Sequence, residues 1–257
     1  LVKEKRILPF AIPMGLMFIA NFYIGYMVAV CAAVYFVIFA ISEDCLFNLK
    51  KGLDRALRAI GGAILAVMIG AVTILPIYKV LSLGKMEFST PPTYDAYEKF
   101  PFVSMLGKLL PFSYDSVNVQ GLPFVYCGVI ILLLCPLYFA SKKISIKKKI
   151  CYFGVIVAIN ILMYVSTFDL LMHGGQWPNW LNYRYSFVLS FFLLMLGAEA
   201  FNNLDSIERT SMFKVYGAIF AIIIFANEQW VSYIVEAQAY WFVLIALTLY
   251  IAVALII

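Results

Sequence analysis

Charge is what this sequence has least of. Of its 257 residues only 13% are Asp, Glu, Lys or Arg, while 64% are hydrophobic, and the mean hydropathy is +0.95. Soluble domains carry about 25% charged residues and are roughly half apolar, so an aqueous globular fold is excluded. Histidine is scarcer still, with one in the chain, which rules out a multi-histidine metal site. The five cysteines show no CxxC and no cysteine–histidine spacing, so they serve as small apolar residues rather than zinc ligands or a disulfide framework. Basic patches are few. The run KKISIKKK, 142 to 149, lies beside a hydrophobic stretch and reads as a topology signal or a contact with anionic lipid, not as a nucleic-acid site.

What remains is long apolar runs. A hydrocarbon layer of about 30 Å takes roughly 20 apolar residues per helix. By that measure the sequence predicts an all-α polytopic transmembrane helix bundle of about eight spans, near 7–20, 23–41, 59–81, 122–140, 150–168, 186–203, 212–227 and 236–257. The first carries Pro9 and Pro13 and reads as kinked, re-entrant or one arm of a hairpin turning at Asn21. Fourteen of the 19 basic residues cluster at one set of span ends: Lys3 to Arg6, Lys50 to Arg58, Lys142 to Lys149, and Arg209 with Lys214. The positive-inside rule puts those ends, and both termini, in the cytoplasm. Lys79, Lys85, Lys99, Lys108 and Arg184 then belong to the other surface.

Two outer loops carry the polar chemistry. The first, near 83–121, is long for a structureless connection and is expected to be partly ordered. Within it FPFVSMLGKLL, 100 to 110, predicts a short amphipathic helix in the interface. Asp115 follows in a polar turn, and GLPFVYCG, with Tyr126, leads into the next span. The second loop, near 169–185, holds MHGGQWPNWLNYRY. Gly174 and Gly175 permit positive φ, Pro178 and Asn179 make a turn, and Trp177 and Trp180 suit the headgroup belt. His173, Gln176, Asn179, Asn182, Tyr183, Arg184 and Tyr185 are packed into about a dozen positions. A guanidinium at the hydrocarbon edge suits a phosphate or carboxylate partner, although interfacial arginines also snorkel to lipid phosphates. Asn21, Tyr23 and Tyr26 form another polar patch that lines a cleft or caps a helix beside interfacial tyrosines.

Three stretches in register carry a resemblance. HGGQWPNWLNYRYSF resembles the HGxQxPN…YRYSF signature of the YfhO family of bacterial multi-pass membrane proteins. NFYIGYMVAVCAAVYF, 21 to 36, is similar to that family's NFYIGYM segment, and SYDSVNVQGLPFVYCG, 113 to 128, to its SYD…GLPxxYxG segment. The resemblance covers about residues 1 to 210 and implies a GT-C type glycosyltransferase. Such an enzyme moves a sugar from a polyprenyl-phosphate carrier to a wall polymer of the teichoic-acid type, or to a glycolipid, on the outer side of the bacterial cytoplasmic membrane. On that implication Arg184, with Lys85 or Lys108 in support, faces the leaving phosphate. Gln176, Asn179, Asn182 and the tyrosines meet sugar hydroxyls, the tryptophans stack on the ring, and His173 binds phosphate or positions the acceptor. No cofactor is identified and metal use stays open.

GT-C enzymes place a catalytic carboxylate in an early outer loop, ahead of the position where NFYIGYM starts here. The chain is therefore expected to be an internal fragment of a single transmembrane domain, without that base, the early spans or an extracytoplasmic C-terminal domain, and inactive alone. Asp115 and Asp169 are left as supporting acids or simple loop-end caps. Two other classes stay open. A transporter or flippase calls for ionisable groups at midplane depth and paired broken helices, neither of which is evident. A membrane scaffold calls for an outer-loop cluster that can be replaced without functional loss.

Overall fold

The computed structural model describes residues 6–42, 49–83, 95–102, 104–113, 121–175, 178, 182–229 and 237–256. Among these residues the chain is helical, with no strand and one isolated bridge between Glu98 and Val165.

Helix α1 (Leu8–Ala20) starts with proline in its first turn, where the missing N–H has no helical partner to lose. It stops at Asn21, which is extended at φ −156°. The Asn21 side chain accepts from Ile24 N–H at 3.1 Å and so caps α2 (Phe22–Ser42). The first span is thus one arm of a hairpin. Helix α3 (Leu49–Ser82) begins well ahead of the span predicted from 59 and runs roughly 50 Å at 1.5 Å per residue. Its first turns are basic and include an Asp54–Arg58 ion pair. Helix α1 lies in contact with α3 because both carry notches. A Cβ on Gly15 would stand 2.6 Å from the Ile69 side chain, and one on Gly70 would stand 2.7 Å from Phe18.

Two expectations are corrected in the middle of the chain. The amphipathic helix over 100–110 shrinks to α4 (Ser104–Gly107). Phe102 and Leu106 are exposed while Met105 is buried, since Pro101 and Pro111 bracket a stretch too short for a helical face. The span over 122–140 is helical only as α5 (Val129–Ala140). Residues 121–128 are not helical: Pro123 has no N–H to give, and Gly128 sits at φ +108°, a region that favours glycine.

The remaining helices are α6 (Ile146–Tyr164), α7 (Ser166–Met172), α8 (Phe187–Phe201), entered through a 3₁₀ turn at Arg184–Ser186, α9 (Arg209–Gln229) and α10 (Ala237–Ile256). Helices α2, α5, α6 and α8 share the main core, where Tyr35 packs on Phe192 and Tyr138 on Tyr152. A second core joins α5 to α9 and α10 through Leu133, Leu137, Val243 and Leu247. At the end of the bundle away from the start of α8, Lys143–Asp205 (2.7 Å) and Lys142–Glu208 pin the α5–α6 connection to the α8–α9 connection, and Lys148–Glu199 (2.6 Å) pins the first turn of α6 to α8. Among the described residues three stretches are long and apolar enough to cross a membrane: Phe22–Ala40, Lys50–Val80 and Arg184–Phe201. Leu8–Ala20, Val129–Ala140 and Gln238–Ala254 are shorter apolar helices.

Candidate functional site

The site begins with a break. Helix α6 ends at Tyr164 because Val165 is extended, at φ −90° and ψ 123°. There residues 95–99 are laced onto it. Lys99 N–H bonds Tyr164 O and Ser166 N–H bonds Tyr97 O, both at 3.1 Å. The Ser166 hydroxyl donates to Asp95 O at 2.7 Å and accepts from Tyr97 N–H at 2.9 Å. Helix α7 restarts at Ser166, which puts Asp169 and His173 four residues apart on one face. Gly175 N–H then returns to Leu170 O and Gly174 N–H to Leu171 O, a Schellman closure. Both glycines hold positive φ, 71° and 79°.

Asp169 is the centre of what this builds. Its carboxylate is fully buried and is paired with the Lys99 ammonium. The Tyr185 hydroxyl, also buried, lies 2.7 Å from Asp169 Oδ1 and 2.8 Å from Leu162 O, so one proton is shared between two acceptors. Burial pushes the Asp169 carboxyl up, but the His173 imidazole and the Lys99 ammonium outweigh it and hold the carboxyl below its ordinary value. Lys99 also stands 4.6 Å from the centre of the Tyr183 ring, and Phe100 meets that ring edge-on. Tyr183 adopts φ 56°, a conformation that costs a non-glycine residue roughly 1–2 kcal/mol. Its buried ring and the Ser186 N–H to Tyr183 O bond, 2.8 Å, hold it there. Burial, then the Asp169 charge, raises the Tyr183 phenol well above its ordinary range, so it stays protonated.

His173 closes the inner layer. Nδ1 lies 2.8 Å from the Asp169 backbone carbonyl and 3.4 Å from its carboxylate. The imidazole is buried between the Tyr23 and Tyr185 rings, and Nε2 has no hydrogen-bond partner among the described residues. The outer layer is Arg184, exposed, with its guanidinium 5.2 Å from the Tyr23 ring centre. Tyr26 ties α2 to this layer through a 2.8 Å bond to Leu171 O. Beneath, Val28, Cys31 and Tyr35 of α2 face Val188, Phe192 and Met195 of α8 across an apolar groove of about 510 Å³. Phe187, three residues beyond Arg184, also lines it, so the cation stands near one end of the groove.

The predicted residues divide into groups. His173, Tyr183, Tyr185, Arg184 and Tyr23 come together, and Asn182 is half-buried beside them in sequence. Asn21 is the cap of α2. Tyr126 packs instead into the α5, α9 and α10 core, while Ser186 bonds its neighbour Phe124 O at 2.8 Å. Gln176, Trp177, Asn179, Asp115 and Lys85 lie outside the described residues. Lys108 is fully buried and bonds Ser113 O, so it is not an outward cation. Asp169 is no mere loop-end cap. Lys99 was missed as its partner; the visible signal was the Asp169–His173 spacing of four, which marks one helical face but gives no pairing across 70 residues. No group of three or more His, Cys, Asp or Glu able to hold a metal occurs among the described residues.

Comparison with curated proteins and with solved structures gives no match. The family described as bacterial membrane protein YfhO matches over residues 1–257. With its apolar helices and with His173 and Tyr185 gathered around Asp169, the chain belongs to the YfhO family of bacterial membrane proteins.

Proposed function

We propose that the chain is the lipid-facing part of a membrane glycosyltransferase. It moves a sugar from a polyprenyl-phosphate carrier to a wall polymer of the teichoic-acid type, or to a related glycoconjugate, outside the bacterial cytoplasmic membrane. One observation carries the reading: an exposed guanidinium, Arg184, stands over Tyr23 near one end of an apolar groove between α2 and α8. A groove of this size lies within the range of ligand sites, about 300–1,000 Å³. An isoprenoid chain suits its walls, and the phosphate then falls to Arg184, whose planar donors match it in two-point fashion. Eight crossings, by α1, α2, α3, α5, α6, α8, α9 and α10, with both termini cytoplasmic, agree with the distribution of basic residues. Non-helical residues 121–128 fit at membrane depth because Gly121, Pro123 and Val125 are buried.

The test replaces Arg184 by Ala and by Lys in the native cell, with membrane abundance checked and the sugar content of wall polymers assayed. Loss of glycosylation at normal abundance, with Lys failing as well, is the expected result. Full glycosylation in both variants refutes the phosphate role and returns Arg184 to lipid snorkelling. The same groove and cation also fit a flippase of lipid-linked substrate; in that case the variants deplete the outer-leaflet carrier, while transfer to added acceptor from externally supplied donor is unchanged.

A further inference from the structure

We infer that the groove between α2 and α8 grips only about the first two isoprene units of the carrier, and that Tyr35, which closes its inner end, is the residue that sets this length and turns the rest of the chain out into the bilayer. The inference deepens the glycosyltransferase reading above and rests on it.

The depth comes from the walls. Both helices start beside Arg184: Tyr23 of α2 lies under its guanidinium at 5.2 Å, and Phe187 opens α8 three residues beyond it. From there the lining positions run from Val28 to Tyr35 on α2 and from Phe187 to Met195 on α8, each about 11–12 Å along the axis at 1.5 Å per residue. An isoprene unit adds four carbon–carbon bonds of about 1.5 Å, or about 5 Å of extended chain once bond angles are counted, so about two units reach the end. That end is closed by a fixed ring. Tyr35 is 5.3 Å from the Phe192 ring centre, 5.7 Å from Phe39 and 6.3 Å from Tyr152, and close packing on several sides leaves it no room to swing aside. Across from it Phe191 and Met195 are 56% and 37% exposed, so the chain has a way out at the side and none ahead.

The chemistry of the walls selects the occupant. Val28, Phe187 and Val188, at the Arg184 end, carry no hydrogen-bonding side chain. A diacyl phospholipid with its phosphate at Arg184 would press ester carbonyls against them, and a polar group desolvated without a partner is costly. A polyprenyl phosphate joins hydrocarbon directly to phosphate and meets no such penalty. Lipid tails are as apolar as the groove, so entering it from the bilayer gains little hydrophobic free energy. What the groove supplies is register. Two units laid against Val28, Ala32 and Tyr35 fix the phosphate-bearing carbon beside Arg184, whereas a single unit stops short of Tyr35 and lets that carbon slide.

The experiment uses membranes from cells making the whole gene product, synthetic polyprenyl-phosphate hexoses of one, two, three and six isoprene units as donors, and a glycerol-phosphate oligomer as acceptor. Rates are expressed per donor bound to the membrane, so that partitioning drops out. Wild type is expected to gain about 10-fold or more in kcat/KM from one unit to two, the scale of an effect of positioning, and to stay level beyond. Ala32→Phe, which fills the middle of the groove, is expected to bring the two-unit donor down toward the one-unit rate. Tyr35→Leu is expected to move the plateau from two units to three. A wild-type rate that is level from one unit upward, or that climbs all the way to six, overturns the inference and needs no variant to fold. A plateau still at two units in an active Tyr35→Leu variant overturns the role of Tyr35, and strong competition by added phosphatidylglycerol overturns the choice of occupant. If wild type moves sugar from none of these donors, the transferase reading itself fails; if it is active and indifferent to chain length, only the inference about the groove fails.

Discussion

Replacing Asp169 by Asn takes one charge out of the middle of the buried cluster and leaves its shape almost unchanged. The Lys99 side chain is only 13% exposed, and breaking one partner of a buried pair costs about 3–5 kcal/mol. Lys99 keeps the face of Tyr183 at 4.6 Å, so about 3 kcal/mol is expected. Lys99→Met leaves Asp169 the Tyr185 hydroxyl and the His173 side, and its expected cost is smaller, about 2 kcal/mol. The double variant removes both charges, and its cost should fall short of the summed singles by about 2 kcal/mol, within the usual range for contacting residues. Unfolding of the purified protein in mixed detergent micelles, followed by circular dichroism, measures all four species. A cost below about 1 kcal/mol for Asp169→Asn, or strict additivity, refutes the buried pair. The acid range gives a second reading of the same group. Its folded pKa lies below the unfolded carboxylate value of about 3.9. Wild type therefore keeps this contribution above that pH and loses it as pH falls through the folded value, whereas the Asn variant has no such loss.

Two backbone predictions use the same measurement. Gly175→Ala puts a side chain at φ 79° and is expected to cost about 1–2 kcal/mol by disturbing the α7 terminus; an unchanged unfolding midpoint refutes it. Gly15→Ala places a Cβ 2.6 Å from the Ile69 side chain and 3.1 Å from Ala66 O, so α1 must move off α3 at about 1–3 kcal/mol, and a neutral result shows that the two helices are not held by that notch.

How far the sequence could be read depends on what each signal measures. Apolar length marked α1, α2, α3, α5, α6, α8, α9 and α10, because burial in a uniform apolar medium needs no particular partner. The hairpin turn at Asn21 was visible because a capping side chain acts three residues away. The helix break at Val165 was not visible, because a valine carries no local stop signal and the break comes from hydrogen bonds to residues 95–99. The start of α5 was misplaced because mean apolarity outweighed Pro123 and Gly128, whose backbone demands win locally. Arg184, His173 and the two tyrosines could be grouped because they lie within one short segment. Asp169 as their hub could not, since its worth depends on a lysine from another loop.

That lysine sets an order on how the molecule is made. Lys99 leaves the ribosome 70 residues before Asp169, a delay of roughly 4–14 s at ordinary elongation rates. In that interval α5 and α6 must both be synthesised, and the loop tail at 95–100 has no Tyr164, Val165 or Ser166 to pair with. The polar centre is therefore among the later parts of the bundle to close. Nascent chains halted between α5 and α7 would hold Lys99 still open to a water-soluble amine reagent, and release past Tyr185 would bury it.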